Sequence, residues 1–174
     1  MLKEIKKYPY RVLHPKLVAL ISSMDEKDIP NVCTVAWIMP VSIEPPLITV
    51  ALQKKHKTTD NILKRKEFVV NIPVEKQVEL VKNCGSCSGW KVDKFKDFKI
   101  EKEEAKKIKT PRIKGCAGYI ECELYSYFEA GDHYLFNGKI LISEADDNFF
   151  GDMWNNPPIL YHFGKDVYGK VSKI

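Results

Sequence analysis

Lys54, Lys55, His56, Lys57, Thr58 and Thr59 set three ammonium groups, an imidazole and two hydroxyls side by side at the end of an apolar run. Asp60, Ile62 and Leu63 follow, so the pattern predicts a helix start, with Thr58 or Thr59 as N-cap and an acid in the first turn. Cations placed beside the free N–H groups of a helix start make a cradle for phosphate. A capped helix with solvated lysines fits the same spacing, and the residues alone leave both readings open.

Three further groups have chemical potential. Asn31 and Thr34 flank Val32 and Cys33 at the head of an apolar segment. They offer an amide and a hydroxyl to the polar edge of a ring system; a turn Asn and a strand Thr would look the same. Cys84 and Cys87 form a CxxC in a stretch rich in Gly and Ser. That spacing serves a redox dithiol or half of a metal site, but zinc takes about four ligands. Cys33, Cys116 and Cys122 lie in apparent strands, and His14, His56, His133 and His162 are scattered. A loop that wraps a ligand with its amides suits the stretch equally well. Gly131, Asp132 and His133 read as a tight turn that delivers an imidazole, able to donate or to titrate near neutral pH, to a strand start.

Short apolar runs must position these groups. Strands are predicted at 17–22, 32–39 (apolar enough to be buried on both faces, with Pro40 interrupting it), 47–52, 68–72, 117–124 and 134–142. A short helix is predicted after His56 and a second over 75–82, a loop from Asn83 through the CxxC, and an irregular aromatic tail from Phe149. Many strands with short helices point to a mainly β barrel or sandwich in one domain spanning 1–174. Neither a GxGxxG fingerprint nor a Walker motif is present.

Composition narrows the classes. Lys and Arg number 28 against 23 Asp and Glu, a net +5 with no unbroken basic run, which is poor support for nucleic-acid binding. The charged N-terminus lacks the apolar core of a signal peptide, and no segment approaches the roughly 18 apolar residues of a membrane span. Five cysteines do not make a secreted disulfide framework. The expectation is a cytoplasmic protein acting neither on membranes nor on nucleic acid.

In order, "NVCTVAWIMPVSIEPPLITVAL", "KKHKTTDNI", "EFVVNIP", "CGSCSGWKVDKF" and "AGDHYLFNGKI" resemble the flavin reductase-like family, and more narrowly its flavoredoxin and archaeal ferric reductase branch. The resemblance covers roughly 10–170. It implies an FMN-binding split β-barrel, a homodimer with FMN near the subunit interface. It implies that Asn31, Val32, Cys33 and Thr34 line the flavin together with Ala51, that Lys54, His56 and Thr58 meet its phosphate, and that Asn83, Cys84 and Gly85 close over it. The family often carries Arg after the Ser-Gly; Trp90 stands there in this chain. The resemblance assigns His133, and with it Asp132, to positioning NADH or NADPH. It implies an NAD(P)H oxidoreductase whose electrons go to free flavin, a ferric complex or a redox protein. An FMN electron carrier without nicotinamide turnover is the alternative. An oxidase like the pyridoxamine phosphate oxidases, which share the barrel, fits the Asn-x-x-Thr and Gly-Asp-His elements less well.

Overall fold

The structure is a computed structural model and describes residues 1–172. A 3-10 turn at Pro9–Leu13 precedes β1 (Lys16–Leu17), β2 (Ala19–Met24), β3 (Pro30–Val35), β4 (Ile38–Ser42) and β5 (Leu47–Gln53). Helix α1 (Lys57–Arg65) and β6 (Glu67–Ile72) follow. A second 3-10 turn, Glu75–Gln77, leads into α2 (Val78–Ser86), then α3 (Lys94–Asp97), β7 (Lys102–Glu103) and β8 (Arg112–Ile113). The long strands β9 (Gly118–Ala130) and β10 (His133–Ala145) come next, then β11 (Tyr161–Gly164) and β12 (Val167–Gly169).

Seven strands form one sheet in the order β3-β2-β6-β9-β10-β5-β4. Its neighbours are antiparallel, and β3 comes round to meet β5, so the sheet curls into an open, split barrel. The expected mainly β architecture with short helices is what forms. β1, β11 and β12 make a small second sheet.

The period of two along each strand decides which side chain faces which core. On β2, Ala19 and Ile21 enter the barrel interior with Val50, Leu52, Phe68, Val70 and Phe136, while Leu20, and Val18 just before the strand, face outward. That outward face is covered too: α2 and α3 lay Val81, Cys84 and Phe95 on it, together with Val32 of β3. Every residue of β2 is therefore buried. Inside the barrel Phe68 needs room that only a glycine leaves; a Cβ on Gly138 would lie 2.5 Å from its ring.

The predicted continuous strand over 32–39 is instead two. β3 ends at Val35, the chain turns through Ala36 and Trp37, and β4 resumes on the opposite end of the sheet. Pro40 does not interrupt β4 but lies inside it, across from Ile48. It is tolerated there because β4 is an edge strand, where a missing N–H costs no ladder bond. Met39 is exposed, against the expectation of burial on both faces over 32–39, and Val41 beyond it is exposed as well. The predicted loop from Asn83 also differs: α2 runs on to Ser86 and carries Cys84 and Gly85 in its last turn. Among the described residues no helix is long and apolar enough to cross a membrane.

Candidate functional site

α1 begins where β5 leaves the sheet, but its cap is not the predicted threonine. His56 holds the N-cap position with extended backbone and no side-chain cap bond. Both threonines face inward. Thr59 donates its hydroxyl to the Gln53 carbonyl at 2.7 Å, and Thr58 accepts from Asn31 Nδ2 at 2.8 Å. Tertiary bonds thus claim the two hydroxyls that local pattern would assign to the cap. Asn31, only 3% exposed, ties the head of β3 to the first turn of α1.

This junction forms one wall of a chamber of about 240 Å³. Asn31, Cys33, Thr34, Lys55, His56, Lys57 and Thr58 come from β3 and the start of α1; Cys84, Gly85, Cys87, Ser88, Gly89 and Lys94 come from the end of α2 and the following loop. The loop approaches so closely that a Cβ on Gly89 would lie 2.1 Å from Asn31 Oδ1. Trp90, where the family often has Arg, donates its indole N–H to the Lys55 carbonyl at 3.0 Å and pins the far rim.

Among the described residues no acid lines this chamber. Lys94 is 3% exposed and donates to the Cys84 carbonyl at 2.6 Å. Among the described residues it makes no ion pair. A lysine that deep without a carboxylate is rare, because burial strips the ammonium of water. Lys57 is half-neutralised by Asp25 at 3.5 Å. His56 Nδ1 is buried and without a hydrogen-bond partner. Burial, then the charges of Lys94, Lys55 and His133, holds its imidazole below the ordinary histidine value. Amides at a helix start, two uncompensated lysines and an orphaned imidazole nitrogen together call for a compact anion. Burial pushes the Cys84 thiol up to about 12 and raises Cys33 as well, so neither is a thiolate at neutral pH.

Thr34, His56 and Gly85 also border a second, larger chamber of about 720 Å³, so the two adjoin. Ala51, Leu52 and Gln53 of β5 form its floor, and Trp37, Asp132 and His133 one side. The two-residue turn between β9 and β10 has Gly131 at φ 60, as a type II′ hairpin requires, and delivers His133 opposite Gln53. His133 Nδ1 lies 2.7 Å from Asp132 Oδ1, and its ring stacks on Trp37 at 5.0 Å with 22° between planes. The imidazole is oriented from two sides, and the hydrogen bond from His133 holds the Asp132 carboxyl below its usual range.

Of the residues named from sequence, Asn31, Cys33, Thr34, His56, Thr58, Cys84, Gly85, Ala51, Asp132 and His133 border the two chambers. Val32 does not: the alternation of β3 turns it into the core beneath α2. Lys54 does not either, because it pairs with Glu129 at 2.8 Å and lies over the Tyr134 ring. Asn83 is exposed, and its carbonyl accepts from Ser86 Oγ and Cys87 Sγ inside the last turn of α2. Among the aromatic side chains, Trp37 and Tyr168 line the larger chamber, whereas Trp154 and Tyr161 pack against the barrel core. Sequence reasoning missed Lys94 and Gly89, and from the basic cluster it carried Lys54 to the phosphate where the chamber is lined by Lys55. The available signal was Asp93, whose carboxylate accepts from the Lys96 N–H as the N-cap of α3 and so fixes where Lys94 begins its helix. Among the described residues no group of three or more His, Cys, Asp or Glu is placed to hold a metal ion.

The model of the flavin reductase like domain matches residues 11–170, and the chain belongs to that family. It is 37% identical over 151 residues to an uncharacterized protein of Archaeoglobus fulgidus, covering 87% of this chain and 82% of that one. It is 27% identical to a flavin reductase of Pseudomonas putida over 78% of this chain and 77% of the other. Among solved structures, the flavoredoxin of Methanosarcina acetivorans superposes with a TM-score of 0.87 at 26% identity, over 99% of this chain and 94% of that one.

Proposed function

We propose that this member of the flavin reductase-like family is an FMN-dependent oxidoreductase. It accepts hydride from NADH or NADPH and passes electrons to free flavin, a ferric complex or a redox protein. The observation that carries the reading is the acid-free inner chamber, where buried, unpaired Lys94 and the orphaned Nδ1 of His56 converge on the start of α1. These residues fit the phosphate of FMN, and the 720 Å³ chamber beyond them has the volume of a ligand pocket.

Bound FMN would supply a ring system that takes up hydride and gives electrons on singly or in pairs. The chain does the holding. Lys94, Lys55 and the α1 amides neutralise the phosphate, and His56 meets it as a donor once protonated. Asn31 braces α1 through Thr58, and the Gly89 loop keeps water from the inner end. His133, fixed by Asp132 and Trp37, positions the nicotinamide through its remaining ring nitrogen, Nε2; it is a positioning group, since ring-to-ring hydride transfer depends on alignment at close range. Exposed Met39 and Val41 on the edge strand β4, with exposed Tyr125 and Phe128 on β9, support assembly as a homodimer. The cysteines, all free, suit a cytosolic home.

The test is an anaerobic visible spectrum of the protein with FMN, before and after NADH or NADPH. A bound-flavin spectrum that bleaches is expected. Bound flavin that stays oxidised would favour a carrier without nicotinamide turnover, a reading that the likeness to a flavoredoxin supports. Absence of bound flavin would end both.

A further inference from the structure

The far end of the larger chamber lies away from Lys94 and is built from different segments. β1 pairs with β11, Lys16 opposite His162, which draws the N-terminal turn and the C-terminal hairpin together. The His14 ring meets His162 at 4.9 Å, and His162 meets Tyr168 at 5.2 Å. Each histidine is locked by one nitrogen, His14 to the Arg11 carbonyl and His162 to the Lys165 carbonyl. Tyr8 completes the aromatic lining, with the Arg11 guanidinium 4.3 Å from its ring centre. The Arg11 stem runs beside the β11–β12 turn: its Cδ is 4.0 Å from where a Gly164 Cβ would be. Arg11 and Lys165, the residue following Gly164, both line this chamber.

The charges here are uneven. Arg11 and Lys165 line the chamber and make no ion pair among the described residues. Among the described residues the acid at this end is Asp166, which lines the chamber without an ion pair; Lys82, which lines it too, holds Glu79 at 2.8 Å. Arg11, Lys165 and Lys82 outnumber Asp166 and Glu79, leaving an excess of positive charge beside three rings in edge-on and tilted contact. Rings of this kind receive a purine by stacking, and an unpaired guanidinium and ammonium receive a phosphate.

We infer that the outer chamber is a subsite for an adenosine bearing a phosphomonoester, with the rings of Tyr8, His14, His162 and Tyr168 around the base and Arg11 and Lys165 on the phosphate. The inference rests on the pyridine-nucleotide reading above and makes NADPH the preferred donor over NADH. A phosphomonoester carries nearly two negative charges at neutral pH, which matches the two free cations.

The test is calorimetric titration of the FMN-loaded protein with adenosine 2′,5′-bisphosphate, adenosine 5′-monophosphate and inorganic phosphate. The bisphosphate is expected to bind about tenfold more tightly than the monophosphate or phosphate alone. In the Arg11→Gln, Lys165→Gln double variant that advantage should disappear while FMN content and the far-ultraviolet circular dichroism stay unchanged. Equal binding of the two nucleotides, or an advantage that survives the double substitution, overturns the inference. Inorganic phosphate binding as tightly as the bisphosphate overturns it as well, reducing the site to a bare anion patch. These readouts need no turnover. A protein that takes no FMN refutes the oxidoreductase reading, whereas one that binds FMN and bleaches equally fast with dilute NADH and NADPH refutes this inference alone.

Discussion

The two ends of the cleft carry cations in opposite ways. At the inner end the positive charge is buried: Lys94 is 3% exposed, and its chamber is walled by β3, α1 and α2, elements anchored in both cores. At the outer end Arg11 is half-buried, Lys165 is exposed, and both belong to short turns joined by the two-residue strand β1. A desolvated cation on rigid elements suits a ligand that stays, because the cost of burying the charge is offset only while the anion is present. Solvated cations on turns suit a ligand that comes and goes, since local opening there costs little. The contrast separates a resident cofactor end from an exchanging co-substrate end.

Substitution at the inner end should produce the largest effect. Lys94→Met removes the buried ammonium but keeps its length, and FMN affinity should fall on the order of 100-fold while the protein keeps its fold. Flavin fluorescence titration beside circular dichroism reads both. An unchanged affinity would erase the distinction between the ends.

His133→Ala should act between them. FMN stays bound, and the anaerobic rate of flavin reduction drops by about tenfold because the nicotinamide loses a positioning contact. Stopped-flow absorbance measures the rate; loss of FMN instead would move His133 to the cofactor end.

The smallest effect is a proton. Burial and neighbouring cations hold His56 below its ordinary value. Its depressed value means that stability is present above about pH 6.5 and lost as pH falls through and below it, since the unfolded imidazole takes a proton first. A bound dianion reverses the bias and raises His56, so FMN binding near pH 6.5 should take up protons. Calorimetry in buffers of differing ionisation enthalpy counts them, and a His56→Gln variant should abolish the uptake attributable to this group.

The barrel was legible because its strands obey the period of two, and the Gly131–Asp132 turn because a tight hairpin demands glycine at positive φ. What escaped was set by distant partners. Thr58 has the local credentials of an N-cap, yet Asn31 takes its hydroxyl from 27 positions away. Lys54 looked equivalent to Lys55, but Glu129 across the sheet claims it. Lys94 gave no local sign of burial, since only the packing of α3 against β3 encloses it. The outer chamber joins the two ends of the chain, a juxtaposition that neither segment announces alone.

The central claim, that the inner chamber holds the phosphate of FMN, is tested most directly by comparing FMN with riboflavin, which differs only by that phosphate. Fluorescence titration should show FMN binding on the order of 100-fold more tightly in the native protein, and the gap should nearly close in Lys94→Met. Equal affinities for the two flavins in the native protein would contradict the claim and place the phosphate outside the chamber of Lys94 and His56.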